Sequence, residues 1–235
     1  MRFYYDLHIH SCLSPCGDDE MTPYNIVGMA KLIGLDLIAI TDHNSSRNAP
    51  AVLKAASEYG LIALPGMELT TSEDVHIVML FPTLEAALGF NDYVDFHKLR
   101  VDNRPEIYGN QLVIGDDDAV IGHEQTLLIS ATDIGVYEAA QAAAERGGVA
   151  IAAHIDRDSN GLVAVLGDIE KDMGFKTVEF SKHADRKFMQ KYIGRGYRSV
   201  SDSDAHRLED ISERVNFLEL DECTPEAVIK WLRGD

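Results

Sequence analysis

The 235-residue sequence predicts an α/β barrel, and three observations predict it. Short apolar, β-branched runs alternate with segments of helical periodicity, the pattern of repeated βα units. Seven or eight such runs occur, which fits one barrel of this length better than two smaller domains. Residues of metal-ligand type recur where the runs end, and in a parallel barrel those ends open onto one mouth.

Taken in order, strands are expected over residues 3–10, 36–41, 61–68, 75–81, 149–154, 177–180 and 199–201, and 215–220 is a candidate for an eighth. A helix over 22–33 opens on Thr22-Pro23, an N-cap residue followed by a first-turn proline. Another over 49–59 stops at Gly60, the residue type that accepts a left-handed C-cap. Helical spacing returns over 132–146 as far as Gly147-Gly148, over 183–193 as far as Gly194, and over 225–232. From about 83 to 125 the alternation fails. A helical stretch at 84–100 and Asn103-Arg104-Pro105 lead to two apolar runs, 111–114 and 119–121, around Gly115-Asp116-Asp117-Asp118, which reads as a β-hairpin with an acidic turn. The expectation is one barrel domain, 1–235, with an inserted helix and hairpin at about 83–125 as a candidate lid over the mouth.

Thirty-nine acidic against 21 basic residues give a formal charge of −18, which repels polyanions and argues against nucleic acid as a partner. Bound divalent cations would offset part of that charge, and a small phosphorylated substrate is compatible with it. Three cysteines, Cys12, Cys16 and Cys223, make no disulfide framework and fit a reducing compartment. No apolar run approaches the roughly 18 residues of a membrane span, and the first strand leaves no room for a signal-peptide core. A cytoplasmic protein without a membrane partner is expected; the sequence is silent on oligomeric state.

The strand ends carry the chemistry. In Asp6-Leu7-His8-Ile9-His10 alternate residues of an extended strand point the same way, so His8 and His10 can reach one cation. Asp42 and His43 follow the second strand, Glu68 ends the third, His154 ends the fifth, and Asp204 and His206 follow the seventh. Only His76 departs, near the start of the fourth. Singly, His43 and Asp42 read as a helix cap and Asp204 as a turn residue beside His206. Glu68 is harder to dismiss, because an unpaired carboxylate in the apolar run Leu64-Pro65-Gly66-Met67-Glu68-Leu69 costs on the order of several kcal/mol, which a cation offsets. His154 and His76 sit in equally apolar runs. Independent coincidences at one mouth are the weaker account.

Together Asp6-Leu7-His8-Ile9-His10-Ser11, Thr41-Asp42-His43, His154 and Ser203-Asp204-Ala205-His206 resemble the four motifs of the polymerase and histidinol phosphatase (PHP) family, in the family's order. The resemblance implies a distorted (β/α)7 TIM-like barrel whose di- or trinuclear metal site hydrolyses phosphoesters. Carried over to this sequence, it implies that His8, His10, Glu68 and Asp204 hold one metal and that Glu68 bridges to a second, completed by His76 and His154. His43 and His206 would bind a third. The family's remaining ligand comes from the loop after the His-x-His pair, which here departs from the commoner Asp or His pattern. Cys16 is the first candidate, Asp18 or Asp19 the reserve, and packing under the loop is the other role open to Cys16. A thiolate there favours zinc or iron over magnesium or manganese. Two or three divalent ions, zinc, iron or manganese, are the expected cofactors.

Cations about 3.5–4 Å apart lower the pKa of a shared water and clamp phosphoryl oxygens for in-line attack. In that scheme Glu68 and Asp204 position the ions and Asp42 holds an imidazole by its other nitrogen. His206 or an unliganded Asp protonates the leaving alkoxide. Phosphate recognition calls for guanidinium or ammonium groups; Arg157 and Arg207 are placed best for it, Lys182, His183 and Arg47 less well. The expected activity is hydrolysis of a small phosphomonoester, such as a nucleotide, a sugar phosphate or a histidinol-phosphate-like compound. A phosphodiesterase or 3′–5′ exonuclease comes second on grounds of charge, followed by a non-catalytic metal-stapled module and an amidohydrolase.

Overall fold

Alternating apolar runs and amphipathic segments become, in chain order, β1 (Arg2–Ile9), α1 (Pro23–Ile33), β2 (Leu37–Ile40), α2 (Ala49–Tyr59), β3 (Ile62–Thr70), β4 (His76–Leu80), α3 (Leu84–His97), the short α4 (Pro105–Tyr108), β5 (Leu112–Ile114), β6 (Val120–His123), α5 (Val136–Glu145), β7 (Val149–Ala152), α6 (Leu162–Leu166), β8 (Thr177–Phe180), α7 (Arg186–Ile193), β9 (Arg198–Ser201), β10 (Phe217–Glu219) and α8 (Pro225–Arg233). The structure is a computed structural model that describes residues 1–235. Eight strands form one curled sheet in the order β10-β1-β2-β3-β4-β7-β8-β9, and β5 and β6 form a separate ribbon. This is the distorted, TIM-like α/β barrel that the sequence predicts.

The distortion has two sources. β1, β2 and β3 are parallel, as are β7, β8 and β9, but β4 runs antiparallel to both of its neighbours. The link between β3 and β4 is only residues 71–75, whereas a parallel crossover needs a dozen residues or more. The reversal puts His76, first residue of β4, at the end of the barrel where the other ligand-type residues lie. The second source is β10, which pairs antiparallel with the first half of β1. Above it the gap between β1 and the chain after β9 closes through side chains and a short parallel backbone bridge, in which His10 N–H donates to Ala205 O (2.9 Å) and Ala205 N–H to His8 O (3.3 Å). Leu7 N–H donates to Asp202 Oδ1 (2.6 Å), and the N–H groups of Ser203 and Ser212 donate to Asp6 (3.1 and 2.9 Å).

Period-two alternation sorts the strands into an inner and an outer face. Leu37, Ala39, Leu64, Val78, Leu80, Val149, Ile151 and Val200 pack inward, where Val228, Ile229 and Leu232 of α8 join them and fill the lower barrel. Ile38 and Ile40 face outward onto α1 and α2, and Met67, Met79 and Val178 onto the layer containing α3, α5 and α7. Continued upward, the inner face carries Glu68, His76, Glu179 and Asp202 in place of apolar residues. An apolar floor thus supports a polar mouth.

Element ends differ from the sequence expectation where a side chain has a better partner. Thr22 occupies the cap position of α1, but its hydroxyl donates to Asp118 instead of capping the helix. The acidic hairpin turn is thereby anchored: Asp118 also accepts from Tyr24 N–H at the α1 N-terminus, a favourable place for negative charge, and Lys54 pairs with Asp116. α5 begins at Val136, whose N–H donates to the Glu73 carboxylate (3.2 Å), and α7 begins at Arg186 because Asp185 caps it. α3 ends at His97.

Candidate metal centre

A register shift in β1 builds the heart of the site. Tyr5 and Leu7 belong to the inner cluster and Ile9 to the outer one, with the irregularity between Asp6 and Ile9. A one-residue slip exchanges the faces of a strand, so Leu7 and His8 both reach the interior and His10 follows His8. Their Nε2 atoms stand 3.2 Å apart. His8 Nε2 lies 3.4 Å from both Glu68 Oε1 and Asp204 Oδ1, and His10 Nε2 lies 3.1 Å from Asp204 Oδ1 and 3.3 Å from Glu68 Oε2. Four donors placed tetrahedrally about 2.0–2.1 Å from an ion would be about 3.3–3.4 Å from one another, which these spacings match.

Two further groupings share members with the first. His43 Nδ1 is 3.0 Å from Glu68 Oε2 and His76 Nδ1 is 2.9 Å from Glu68 Oε1, while His10, His43 and His206 form a third. His154 Nε2 also reaches Glu68 Oε1, at 3.1 Å. Glu68, fully buried at the end of β3, is therefore touched by five imidazoles. His76 Nδ1 and His154 Nε2, which the resemblance pairs on the second ion, both reach Glu68 Oε1 and their rings lie 5.4 Å apart, while His43, Glu68 and His76 form a closer triangle beside them.

The donor set fits divalent cations on an observation internal to the fold. His43 Nδ1, Glu68 Oε2, His154 Nδ1 and Asp204 Oδ1 are buried atoms with no hydrogen-bond partner, half of all such side-chain atoms in the molecule. Leaving polar atoms unsatisfied in a buried site costs about 1–3 kcal/mol each, more when charged, and a cation accounts for the three that face the centre, His43 Nδ1, Glu68 Oε2 and Asp204 Oδ1. Backbone strain marks the same place: His154 (φ 27°) and Asp204 (φ 52°) are held at positive φ, which is unfavourable for residues other than glycine.

Neighbouring groups fix how the imidazoles present themselves. Glu179 accepts from His8 Nδ1 at 2.9 Å, leaving the Nε2 lone pair for the centre. Ser14 Oγ donates to Asp42 Oδ1 (2.7 Å) and so receives His10 Nδ1–H at 2.9 Å. Asp42 thus orients an imidazole through Ser14, not by direct contact as expected; its other bonds come from Ser11 N–H and Oγ. His206 Nδ1 donates to Asp204 O at 2.8 Å, freeing its Nε2. Sequence reasoning missed Glu179 and Ser14. Glu179 did carry a signal, a carboxylate inside the apolar run Thr177–Phe180, the same argument that picked out Glu68.

Charge is unevenly shared. Burial alone would lower His8 and His10, but Glu179, Glu68 and Asp204 outweigh it at His8, which is held well above its usual range, and Asp204 and Glu68 lift His10 to about 9. Burial keeps His43 at about 3, and burial with the His10 charge keeps His206 at about 4. Against their own desolvation, Glu68 and Asp204 are held below the usual carboxylate range by the surrounding imidazoles. The carboxylates are thereby ionised and ready to ligate.

Beside the centre lies a cavity of about 170 Å³ lined by Arg157, Lys182, His183, Ser181 and Asp204 among others. Arg157 Nη1 donates to Asp204 Oδ2 (2.6 Å). Three of the expected phosphate-binding residues therefore border one cavity, together with the carboxylates of Glu179, Asp202, Asp204 and Asp210. Arg207 does not join them: it is exposed and absent from that lining. Arg47 is turned away into pairs with Asp95 and Glu124. Cys16 lies on an exposed turn, and its sulfur belongs to none of the three groupings. Asp18 and Asp19 are exposed and spend carboxylate oxygens on Glu20 N–H and Asn110. The loop after β1 therefore supplies Ser14 as a positioning group and brings no further donor into the His10, His43, His206 grouping.

The family model for the PHP domain matches residues 6–192. The chain belongs to the PHP domain family. That family is one of metal-dependent hydrolases and phosphoesterases that work with divalent metals. Among curated proteins, it is 32% identical to an uncharacterized protein of Methanocaldococcus jannaschii over 40% of this chain and 60% of that protein. It is 36% identical to the 5′-3′ exoribonuclease Rnm of Salmonella typhimurium over 32% of this chain and 27% of that protein. Among solved structures, the lesion-specific endonuclease PfuEndoQ of Pyrococcus furiosus superposes over 100% of this chain and 56% of its own, with a TM-score of 0.72 and 21% identity. The PHP domain seen here thus spans less than two thirds of these relatives. Two of them are nucleases by name, which removes the ground for setting nucleic acid aside on net charge alone. No helix is long and apolar enough to cross a membrane.

Proposed function

We propose that this PHP protein hydrolyses a terminal phosphoester at the Glu68-centred cluster. The observation that carries the reading is the convergence of His8, His10, His43, Glu68, His76, His154, Asp204 and His206 beside a cavity walled by Arg157, Lys182 and His183. His8, His10, Glu68 and Asp204 would hold one divalent ion, His43, Glu68 and His76 a second, and His10, His43 and His206 contribute toward a third. Bound ions would supply an acidified water near neutral pH and neutralise phosphoryl charge. Arg157, Lys182 and His183 bind and orient the phosphoryl group. Asp204, gripped by Arg157, couples that wall to the centre. His206, whose Nδ1 is held by Asp204 O, offers its free Nε2 as a ligand.

The cavity's volume is that of one phosphoryl group and its immediate substituents, which supports a small phosphomonoester such as a nucleotide. A second reading, cleavage at the end of a nucleic acid, is favoured by the exoribonuclease and endonuclease relatives. The test is phosphate release from nucleotides and sugar phosphates, and shortening of end-labelled RNA and DNA, by protein loaded with zinc, iron or manganese. Hydrolysis of the small esters alone supports the first reading, and stepwise shortening the second. No metal-dependent turnover of either class would overturn both.

A further inference from the structure

The opposite end of the barrel carries a second cavity, about 590 Å³, with a composition unlike the rest of the molecule. Lys171, Lys176, Arg195, Arg198 and Arg233 line it, almost a quarter of the 21 cationic residues in a chain of net charge −18, and Asp235 is its sole acidic residue. Lys176 directly precedes β8 and Arg198 opens β9, so the cavity lies at the strand starts. Four residues of β8, about 13 Å of strand rise, separate it from the mouth.

The guanidinium groups are held in place. Arg195 is fixed by Asp168 Oδ1 (2.6 Å) and Ile169 O (2.8 Å), Arg233 by Gly148 O through Nη2 (2.7 Å) and Nε (3.0 Å), and Arg198 lies 5.0 Å above the ring of Trp231. Of the five cations only Arg195 has a carboxylate within ion-pair distance. Gathering four unneutralised cations raises the energy of the fold by mutual repulsion, and an acidic protein has carboxylates to spare for pairing them. Pre-oriented guanidinium forks and free ammonium groups are the chemistry that recognises phosphate, and the volume is that of an ordinary ligand site.

We propose that this basal cavity binds a ligand bearing two or more phosphate groups, at a site distinct from the metal centre and independent of the activity proposed for it. Trp231, the chain's one tryptophan, sits under Arg198 and reports on the site. The probes are imidodiphosphate, the β,γ-imido analogue of ATP, and a short single-stranded oligonucleotide with a phosphorothioate backbone, each titrated into metal-loaded protein while tryptophan emission is followed. The expected result is a saturable change. The exposed pair Lys171→Glu and Lys176→Glu together weaken it about tenfold or more, with the hydrolysis rate and melting temperature unaltered. Tighter binding of the oligonucleotide than of imidodiphosphate assigns the phosphates to a nucleic-acid backbone; equal binding of the two small probes with no oligonucleotide advantage assigns them to a free ligand. No saturable change with any probe, or a double variant that binds like the wild type, overturns the proposal.

Discussion

At the level of single residues, the division between groups that touch a cation and groups that aim them is the main finding. Glu179→Gln keeps the shape and removes the charge that orients His8. It is expected to lower metal affinity about 10–100-fold, measured by competition with a chromophoric chelator, without unfolding the protein. Glu68→Ala should remove metal and turnover together, checked by elemental analysis beside an activity assay. Proton accounting gives a further test. His10 lies at about 9 and His8 well above its usual range, so the metal-free protein holds both protons at neutral pH, whereas ligation requires neutral imidazoles. Metal binding should release on the order of two protons at pH 7 and weaken as pH falls, readable by calorimetry in buffers of different ionisation enthalpy. In the metal-free protein the sign is opposite: the raised pKa of His10 contributes stability that is complete below 6.5 and lost as pH rises through about 9. Glu68, His76 and His154 were legible in the sequence because each interrupts an apolar run, and His43 and His206 because they follow strand ends. Glu179 carried the same signal and went unread, because inward and outward positions of a four-residue strand look alike until its register is known; the Ser14 relay carried none.

Among the elements, β3 and β4 matter most, since they deliver Glu68 and His76. Their pairing brings Gly66 opposite Leu80, and a Cβ at Gly66 would lie 2.3 Å from Met79 O. Gly66→Ala must therefore push the strands apart, at a cost of about 1–3 kcal/mol, seen as a lower urea midpoint together with weaker metal binding. The strand and helix order could be read from periodicity, and so could the hairpin. The direction of β4 could have been read as well, from the shortness of residues 71–75, but the alternating pattern of the other strands masks it. What the sequence did not disclose is the partner chosen at each element end. Thr22 pairs with Asp118 across 96 positions, and no local signal foretells a contact of that range.

For the molecule as a whole, the centre is a concentration of buried charge resting on the apolar floor made by the lower strands and α8. Chelation should lower the melting temperature, because ions that bind only the folded state stabilise it by about 2.7 kcal/mol at 100-fold excess over Kd; an unchanged melting curve after chelation would count against occupied sites. The barrel class was readable from composition and alternation, whereas its closure through Asp6, Asp202 and β10 depends on contacts between the two ends of the chain. The upturned fourth strand carries one more implication. Because β4 finishes at the base and β7 starts there, the chain between them climbs along α3, lays the β5–β6 ribbon against α1, α2 and the loop after β1, and descends along α5 to where it set out. Its return leg is tied to the donors, since Asn44, next to His43, gives its amide to Leu128 O (2.7 Å) and Ser130 O (2.8 Å), whereas the acidic tip pairs only with α1, its cap and α2, so the tip is where length and sequence can drift while the hydrolytic machinery stays as it is.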